Sequence, residues 1–468
     1  MPARLCVPVR VPAWFLFVLL LVGLTPTTGA TPTTSPDDLV IASEVRVRVL
    51  EKQAPRAVTV QGTEAGLTLT DALDASLIAT LAPGADVEIK AEHGRIYVYL
   101  PRRVVSVRAL HLAPGLEGTT TVTAGRLTRR YDGTFRIEDD RGRLQLVNTV
   151  PLEAYVASVT AGEYPFAEPE GVKAQAVLAR TYALRSRGKR GAYDLVDHTS
   201  DQVYHGADRT TAVTRAAAAA TQGVVLTFDG RFAETVYSSS NGGHTAANET
   251  TWSGAPVPYL RAQPDPYDRS SPHARWQTTH GTAEVHRVLG RAAGFRVDGF
   301  EIAARSREGR VTAVTLTGTR RQRMTGAAFR ATLTRAFGML TLKSTFFEVA
   351  QRGGSYVFTG RGFGHGVGMS QYGARAQAQA GRSYADILAF YFRGTRLVQA
   401  TPDLGPERPL LASTDAEAAA LREAVLSTAP IADTEAHADP DVDDGPRGWA
   451  DVIASTDAEE RRDRRIAW

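Results

Sequence analysis

The chain has 468 residues, enough for about two to three domains, and 43% of them are hydrophobic, which excludes a chain without a buried core. Its net charge of +4 is unevenly distributed, because residues 401–468 contain 16 acidic and 7 basic side chains and the rest of the chain is therefore strongly basic. A basic body suits a partner such as nucleic acid, a membrane surface or an anionic or polysaccharide wall polymer.

The N-terminus has the layout of a secretory signal peptide, which we assign to residues 1–30. Arg4 and Arg10 precede an apolar run at 11–24, and small residues follow it. The apolar run is shorter than the ~20 residues that span a bilayer, which favours cleavage over an uncleaved membrane anchor. The single cysteine, Cys6, lies in this segment, so the mature chain is expected to have no disulfide, cysteine nucleophile or thiolate metal site.

A Thr/Pro/Ser-rich linker at 31–39 leads into a region, 40–150, that is predicted to be rich in β-strands. Val45, Val47 and Val49 alternate with arginines, and turn signals such as Asp132-Gly133 separate the apolar runs. Period-two alternation of this kind is typical of strands with one buried face.

The part from 151 to 400 contains most of the helical periodicity, so we expect a mixed α+β fold. Pro169 suits the first turn of a helix, and Asp229-Gly230 suits a hairpin turn. The acidic tail at 401–468 is predicted to be mostly disordered. The predicted elements are helices at 152–162, 169–186, 211–220, 374–380 and 384–392, and a strand pair at 224–228 and 232–238, with a mixed region between the strand pair and the last two helices.

Glu163 is the first candidate for chemistry. It follows Gly162 at the end of a predicted helix and precedes Pro165, which places it where two helices meet. Partial burial there would raise the pKa of its carboxyl group, and a carboxyl group that stays protonated can donate to a glycosidic oxygen. On the residues alone, an ordinary loop glutamate is the more common explanation of such a position.

Two polar stretches, 197–205 and 238–245, could line a groove that binds sugar hydroxyls, or could simply form surface turns. A zinc site made of His198, His205 and His244 is a weaker alternative, because these histidines lack the close spacing of a helical metal motif.

A glycine-rich stretch at 360–374 surrounds His365 and would let the backbone approach another group closely. Phosphate binding is a weak explanation of this stretch, because no Lys-Ser/Thr pair follows it and no βαβ unit surrounds it. The structural explanation is a tight turn between a strand and a helix, in which His365 would support the fold.

Together these segments resemble the stage II sporulation protein D family, the SpoIID/LytB domain. The resemblance covers roughly 45–398 and is most specific in the KAQAVLARTYAL helix and the glycine–histidine stretch. The matching segments are LEAYVASVTAGEYP, EGVKAQAVLARTYAL, DQVYHG, TQGVVLTFDGRFAETVYSSSNGGHT and GRGFGHGVGMSQYGARAQAQAGRSYADILAFYFRGT.

The resemblance implies an exported lytic transglycosylase with a cleft beside the helix-Gly-Glu turn. Such an enzyme cleaves the bond between N-acetylmuramic acid (MurNAc) and N-acetylglucosamine (GlcNAc) in peptidoglycan glycan strands and leaves anhydro-muramyl ends. In the sporulation branch of the family, the strands that are cleaved have already lost their peptides. The family's catalytic residue falls on Glu163, and no cofactor is implied. Substrate-binding roles are expected for Lys173, Arg180, Gln202, Tyr204, Ser239, Ser240, His244 and His365.

This sequence departs from the family pattern in two places. Tyr164 and Phe166 stand near the Glu163 turn, where members often have Met and Trp, which could change how a sugar stacks. Some members bind zinc through Cys and His near the 197–205 segment, but the mature chain has no cysteine, so we expect no metal.

The family also has a non-catalytic theme, a wall-binding module that enhances an N-acetylmuramoyl-L-alanine amidase. The expected partners are therefore glycan strands and a wall amidase or another envelope hydrolase. Export and the lack of a recognised motif argue against nucleic acid, and a membrane partner is expected only if the signal segment stays uncleaved.

Overall fold

The computed structural model describes residues 39–252 and 254–403. The predicted signal peptide at 1–30, all but the last residue of the linker, and the tail beyond residue 403 lie outside the described residues.

Thirteen strands precede the first helix in the described part of the chain, which confirms the predicted β-rich region. Alternating burial along β2 follows its alternating Val and Arg residues, because successive side chains point to opposite faces. The strands are β1 (Val40–Ala42), β2 (Glu44–Val49), β3 (Ala57–Gly62), β4 (Leu67–Asp71), β5 (Leu77–Leu81), β6 (Asp86–Glu92), β7 (Arg95–Leu100), β8 (Arg103–Val107), β9 (Ala109–Pro114), β10 (Thr120–Ala124), β11 (Leu127–Tyr131), β12 (Thr134–Asp139) and β13 (Leu144–Pro151).

Twelve of these strands, all but β1, form two large sheets that share one hydrophobic core. One sheet has the order β11-β10-β3-β6-β7-β8, and the other has the order β14-β2-β13-β12-β9-β4-β5, where β14 is Leu195–Val196. Val47 and Phe135 of the second sheet and Val98 of the first are fully buried in the common core.

Five of the described helices lie at or near the predicted positions and three fall in the region left as mixed, and the structure is mixed α+β as expected. Thr211 accepts the N–H of Thr214 and so caps the third helix. None of the helices in the described ranges is long and apolar enough to cross a membrane. They are α1 (Leu152–Glu163), α2 (Pro169–Ser186), α3 (Ala212–Ala220), α4 (Asn248–Thr251), α5 (Thr282–Ala293), α6 (Gly326–Phe337), α7 (Gln371–Gln379) and α8 (Tyr384–Tyr391), with a short 3₁₀ helix at Pro266–Ser270.

Helix α2 packs against α1, α3, α7 and α8 and lies between two hydrophobic cores. Its alanine-rich stripe belongs, with α1, to the core of the two sheets, whereas Val172 and Leu178 belong to a second core that also contains Ile387 of α8. Because α1 and α2 follow one another without a long loop, the residues between them are held on both sides by packed helices.

The remaining strands outside residues 276–360 are short. The strands within this range belong to a module that is inserted between β17 and β24. The remaining strands are β15 (Val224–Phe228), β16 (Arg231–Phe232), β17 (Tyr237–Ser238), β18 (Trp276–Gly281), β19 (Val297–Arg305), β20 (Val311–Gly318), β21 (Gln322–Thr325), β22 (Phe347–Arg352), β23 (Ser355–Gly360), β24 (Met369–Ser370), β25 (Arg396–Gln399) and β26 (Thr401–Asp403).

The inserted module is the part of the fold that the sequence analysis left as a mixed region. It contains two three-stranded sheets, β18-β23-β22 and β19-β20-β21, with α5 and α6. Phe329, Leu333 and Phe358 belong to a hydrophobic core of its own. Its first and last strands pair with each other, so that Trp276 lies opposite Gly360.

Candidate active site around Glu163

Glu163 is the last residue of α1 and lies at the junction of α1 and α2. Its backbone carbonyl accepts a hydrogen bond from Nε2 of Gln371 at 2.7 Å, and its Oε1 accepts the N–H of Val203 at 2.7 Å. Gly162 permits this approach, because a Cβ atom there would stand 2.8 Å from the carbonyl oxygen of Val203. A glycine is thus required at position 162, because the backbone of Val203 packs closely against it.

The environment of Glu163 favours a protonated carboxyl group. Its side chain is buried, with only 2% of its surface exposed. Burial raises the pKa of Glu163 to about 7, and the hydrogen bond from Val203 opposes this shift. Its Oε2 atom is buried and makes no hydrogen bond to the described residues. Near neutral pH this group can therefore hold a proton and give it away.

A chain of polar side chains lies beside Glu163. The hydroxyl of Tyr155 donates to Oε1 of Gln202 at 3.0 Å, and Nε2 of Gln202 donates to the hydroxyl of Tyr237 at 3.2 Å. Burial raises the pKa of both tyrosines well above its ordinary value, so both hydroxyls stay protonated, and an ionised Glu163 would raise it further. Tyr237 is half-buried and therefore connects the buried carboxyl group with the surface.

Several buried polar atoms around Glu163 have no hydrogen-bond partner among the described residues. They are Oγ1 of Thr160, one turn earlier in α1, Oγ of Ser239 and Oε1 of Gln371. Ser239 adjoins α7, since its carbonyl accepts the N–H of Tyr372 at 3.1 Å. Buried polar groups in proteins are nearly always satisfied, so such a concentration indicates a place for water or for the polar groups of a ligand.

The glycine-rich stretch forms a tight loop next to Tyr237. Gly364 has φ +110°, and a Cβ atom there would lie 2.6 Å from Cβ of Ser238. Nδ1 of His365 accepts the N–H of Val367 at 3.0 Å, while the other ring nitrogen donates to the carbonyl of Tyr237. Burial lowers the pKa of His365 to about 3, so its ring is neutral and positions the loop.

An aromatic surface adjoins this loop. The ring of Trp252 lies 4.9 Å from that of His365, centroid to centroid, and 38% of the tryptophan is exposed. An exposed indole beside a polar site is suited to stack against the apolar face of a sugar ring.

Comparison with known proteins identifies the family. A family model described as stage II sporulation protein matches residues 140–228, and a model of a domain of unknown function matches residues 267–368. The stage II sporulation protein D of Bacillus amyloliquefaciens is 35% identical over 324 residues, which are 64% of this chain and 90% of that protein. This chain belongs to the stage II sporulation protein D family.

Two further relatives support this assignment. The stage II sporulation protein D of Bacillus subtilis (strain 168) is 34% identical over 55% of this chain and 77% of its own length. An amidase enhancer of the same organism is 31% identical over 49% of this chain, which covers 38% of that protein. The family resemblance predicted from the sequence is therefore confirmed, and it fits a function related to the cell wall.

Three of the predicted substrate-binding residues contact the elements that surround Glu163. Gln202 bonds to the two tyrosines beside the carboxyl group, Ser239 lies next to α7, and His365 supports the loop at Tyr237. The open cleft expected beside Glu163 is not confirmed, because the carboxyl group is almost completely covered.

Arg180 requires a correction, because its guanidinium does not face a groove. The side chain is fully buried and forms a bidentate ion pair with Glu153, in which Nε donates to Oε1 at 2.8 Å. It also donates to the carbonyls of Ala218 and Val224, both at 3.1 Å. In this family member Arg180 joins α2 to α1 and to the end of α3, which is a structural role.

The other predicted binding residues also have partners within the protein. Tyr204 is a core residue whose hydroxyl donates to Oδ1 of Asn148 at 2.8 Å, and the hydroxyl of Ser240 donates to Asp268 at 2.7 Å. Lys173 pairs with Glu170 one turn away on α2, at 2.7 Å. Nδ1 of His244 lies 2.9 Å from the carbonyl oxygen of Thr245.

Tyr164 and Phe166, at the family's variable positions, pack inside the helical core, with ring centroids 5.0 Å apart. They are buried rather than placed to stack against a sugar.

The candidate zinc ligands are not grouped. Nε2 of His198 lies 2.9 Å from Glu51, and burial lowers the pKa of His205 to about 3. Among residues 39–252 and 254–403, no three His, Cys, Asp or Glu side chains are placed to hold a metal ion together.

Sequence reasoning missed three residues of the site, which are Tyr237, Gln371 and Trp252. Gln371 stands inside the glycine-rich motif, but nothing in the motif indicates that its amide reaches the carbonyl of Glu163, 208 residues earlier. Trp252 could have been noticed as an aromatic residue that follows a polar segment.

Proposed function

We propose that this chain is an exported lytic transglycosylase of the bacterial cell wall, with Glu163 as its single acid and base. The observation that supports this is the state of one carboxyl group. Its pKa is raised to about 7, one oxygen is fixed by a backbone N–H, and the other is buried without a partner. A proton donor near its pKa at neutral pH meets the requirement for general acid catalysis.

The reaction balances with this one group. Glu163 gives its proton to the oxygen that links C1 of MurNAc to C4 of GlcNAc, and the C1–O bond breaks with its electrons on that oxygen. The C6 hydroxyl of the same MurNAc residue attacks C1 and returns its proton to the Glu163 carboxylate. A 1,6-anhydro ring and a free GlcNAc 4-hydroxyl form, and no water is consumed. A hydrolase usually needs a second carboxylate for its nucleophile, whereas here the substrate supplies it.

Access to Glu163 is part of the proposal. The glycosidic oxygen has to approach Oε2, which is covered in the present conformation. Tyr237 is half-buried and its hydroxyl accepts a hydrogen bond from Nε2 of Gln202, and displacement of this side chain would open the site. Catalytic contacts often tighten only in the substrate complex.

Incubation of the purified mature chain with glycan strands, with and without stem peptides, tests the activity. Mass spectrometry should find anhydro-muramyl ends, which are lighter than hydrolysed ends by one water. Hydrolysed ends in their place would contradict the single-carboxyl mechanism.

The pH dependence of kcat/KM should follow the protonated form of Glu163. The rate is expected to be highest below pH 7 and to fall about tenfold per pH unit well above it, because only the protonated acid can start the reaction. Initial rates on one glycan preparation between pH 5 and 9 give the profile. A rate that stays constant up to pH 9 would exclude Glu163 as the acid.

Trp252→Ala should raise KM about fivefold and change kcat little, since one stacking contact contributes on the order of 1 kcal/mol. Trp252→Phe keeps an aromatic face and should retain most of the affinity, and Leu116→Ala, at a residue that is 80% exposed, is the surface control. Equal losses in the Phe and Ala variants would show that stacking is not the cause.

A second candidate is a non-catalytic enhancer of a wall amidase. The 31% identity to an amidase enhancer favours it, as does the almost complete burial of Glu163. In this case the chain alone would release no glycan fragments, but it would accelerate the release of stem peptides by an added amidase. Measuring both products in the same reactions separates the two functions.

A further inference from the structure

The inserted module has a groove between the edge strands of its two sheets. Strand β19 is an edge of the sheet β19-β20-β21, and β22 is an edge of the sheet β18-β23-β22. The groove has a volume of about 370 Å³, which lies within the usual range for small-molecule sites. Its lining includes Asp298, Phe300, Glu301, Thr317, Gln351 and Tyr356.

The groove contains two aromatic side chains that are fixed by the core of the module. The rings of Phe300 and Tyr356 lie 4.7 Å apart, centroid to centroid, and Phe300 packs 4.9 Å from Phe329 behind it. The hydroxyl of Tyr356 is held at 2.9 Å from Nε2 of His286. Since their positions are set by these contacts, the apolar surface in the groove is preformed, and most of it belongs to the half-buried Phe300, because Tyr356 is only 7% exposed.

Apart from Val349 and Gly299, the rest of the lining is polar and includes two acidic side chains. Asp298 pairs with Arg296 at 2.8 Å and Glu301 with Arg321 at 2.5 Å, while the acidic side chains remain 52% and 58% exposed. A carboxylate can accept about four hydrogen bonds, so these ion pairs leave acceptors available. Thr317 and Gln351 add groups that can both donate and accept.

We propose that this groove binds a neutral N-acetylated saccharide, as a site additional to the one at Glu163. Aromatic rings bordered by carboxylates, an amide and a hydroxyl match a sugar ring, which has apolar faces and an edge of hydroxyl groups. The choice of a wall saccharide as the ligand rests on the proposed function, whereas the site itself is made only of residues in the inserted module.

Two observations narrow the choice of ligand. Asp298 and Glu301 line the groove whereas their partners Arg296 and Arg321 do not, so a ligand meets the carboxylates first, which favours GlcNAc over MurNAc with its free lactyl group. An extended peptide added to β19 is disfavoured, because bulges interrupt this strand at Val297/Gly299 and at Ile302/Ala304 and disturb the regular pattern of backbone groups.

The consequence for the whole protein is a second contact with the same polymer. Two weak sites on one chain bind a polymer more tightly than either site alone, if both can be occupied together. The inserted module would then hold a glycan strand while the bond is cleaved elsewhere.

Binding can be measured without cleavage in the full mature chain carrying Glu163→Gln. Titration with N,N′-diacetylchitobiose by calorimetry or NMR should give saturable binding, which persists when Trp252→Ala is added. Glu301→Gln with Gln351→Ala should weaken it at least tenfold. Asp208→Asn removes an exposed carboxylate that pairs with Arg130 at 2.7 Å and is the matched control, with no expected effect.

A second titration compares GlcNAc with MurNAc, which differ by the lactyl group, and the neutral sugar should bind more tightly. Absence of saturable chitobiose binding, binding that is unchanged by the groove variants, or binding of an extended peptide in place of the sugar would each overturn the proposal. Because the readout is binding, failure of glycan cleavage would refute the proposed function and leave this result standing.

Discussion

Glu163→Gln is expected to abolish the release of anhydro-muramyl products and, at the same time, to stabilise the protein at alkaline pH. Loss of a general acid typically lowers the rate by ~10²–10⁴-fold. Glutamine can still accept the N–H of Val203 but cannot donate a proton as an acid. The variant should therefore fold around the same hydrogen bond and lack the chemistry.

The effect on stability follows from the raised pKa. In the folded protein the pKa of Glu163 is about 7, against an ordinary value of 4.5. The native state therefore holds its proton more tightly than the unfolded state, so the stability from this group is fully present below pH 4.5 and is lost as the pH rises through 7. The difference corresponds to about 3 kcal/mol, and Gln removes it because it cannot ionise.

Urea denaturation of both proteins at pH 5 and pH 8 measures this effect. The gain for Glu163→Gln should be larger at pH 8, while Glu64→Gln, at an exposed position, should change neither stability nor activity. A variant that loses equal stability at both pH values would identify Glu163 as a structural anchor. Product release that survives the substitution would remove it from the mechanism.

Arg180→Met is expected to destabilise the protein by about 3 kcal/mol, the lower end of the usual cost of breaking a buried ion pair, because the side chain of Glu153 is 28% exposed. The change removes the counter-charge of Glu153 and leaves the carbonyls of Ala218 and Val224 without this donor. The three helices that the guanidinium joins should therefore separate more easily. The free energy of unfolding in urea gives the cost.

Lys173→Met is the matched control on the same helix. Lys173 and Glu170 are each about 30% exposed and form a surface pair, for which a cost below ~1 kcal/mol is usual. If Arg180→Met kept native stability but lost glycan cleavage, Arg180 would act on the substrate, as expected from the sequence, and its structural assignment here would be wrong.

Local features of the fold were predictable because they depend on neighbouring residues. Helix α2 begins at Pro169 as expected, since a proline in the first turn loses no hydrogen bond. The hairpin at Asp229-Gly230 was also predicted, because its turn residues and the flanking apolar runs are adjacent in sequence.

The roles of polar residues in the motifs were harder to predict, because their partners are distant in sequence. The hydroxyl of Tyr204 contacts Asn148, 56 residues away, and a motif does not reveal this contact. Glu163 was found because a helix, a glycine and a proline surround it. The almost complete burial of its carboxyl group was not predicted, since the neighbouring residues Tyr237 and Gln371 come from other parts of the chain.

The strands of the inserted module could not be predicted from the sequence for a different reason. Strand β19 has several register shifts, which interrupt the period-two pattern by which strands are recognised. Strand β21, at the opposite edge of the same sheet, is only four residues long and mostly exposed, so it carries almost no hydrophobic signal.

The pairing of β18 with β23 has a consequence for how this protein could have arisen. The chain enters and leaves the module side by side, with Trp276 opposite Gly360, so one genetic insertion or deletion could add or remove the unit without stretching the host fold. A shortened version would nevertheless lose the guanidinium of Arg310, which donates to the carbonyls of Asn241 and His244 at 2.6 and 3.1 Å. An ancestor without the module would have needed another hydrogen-bond donor for these two carbonyl groups.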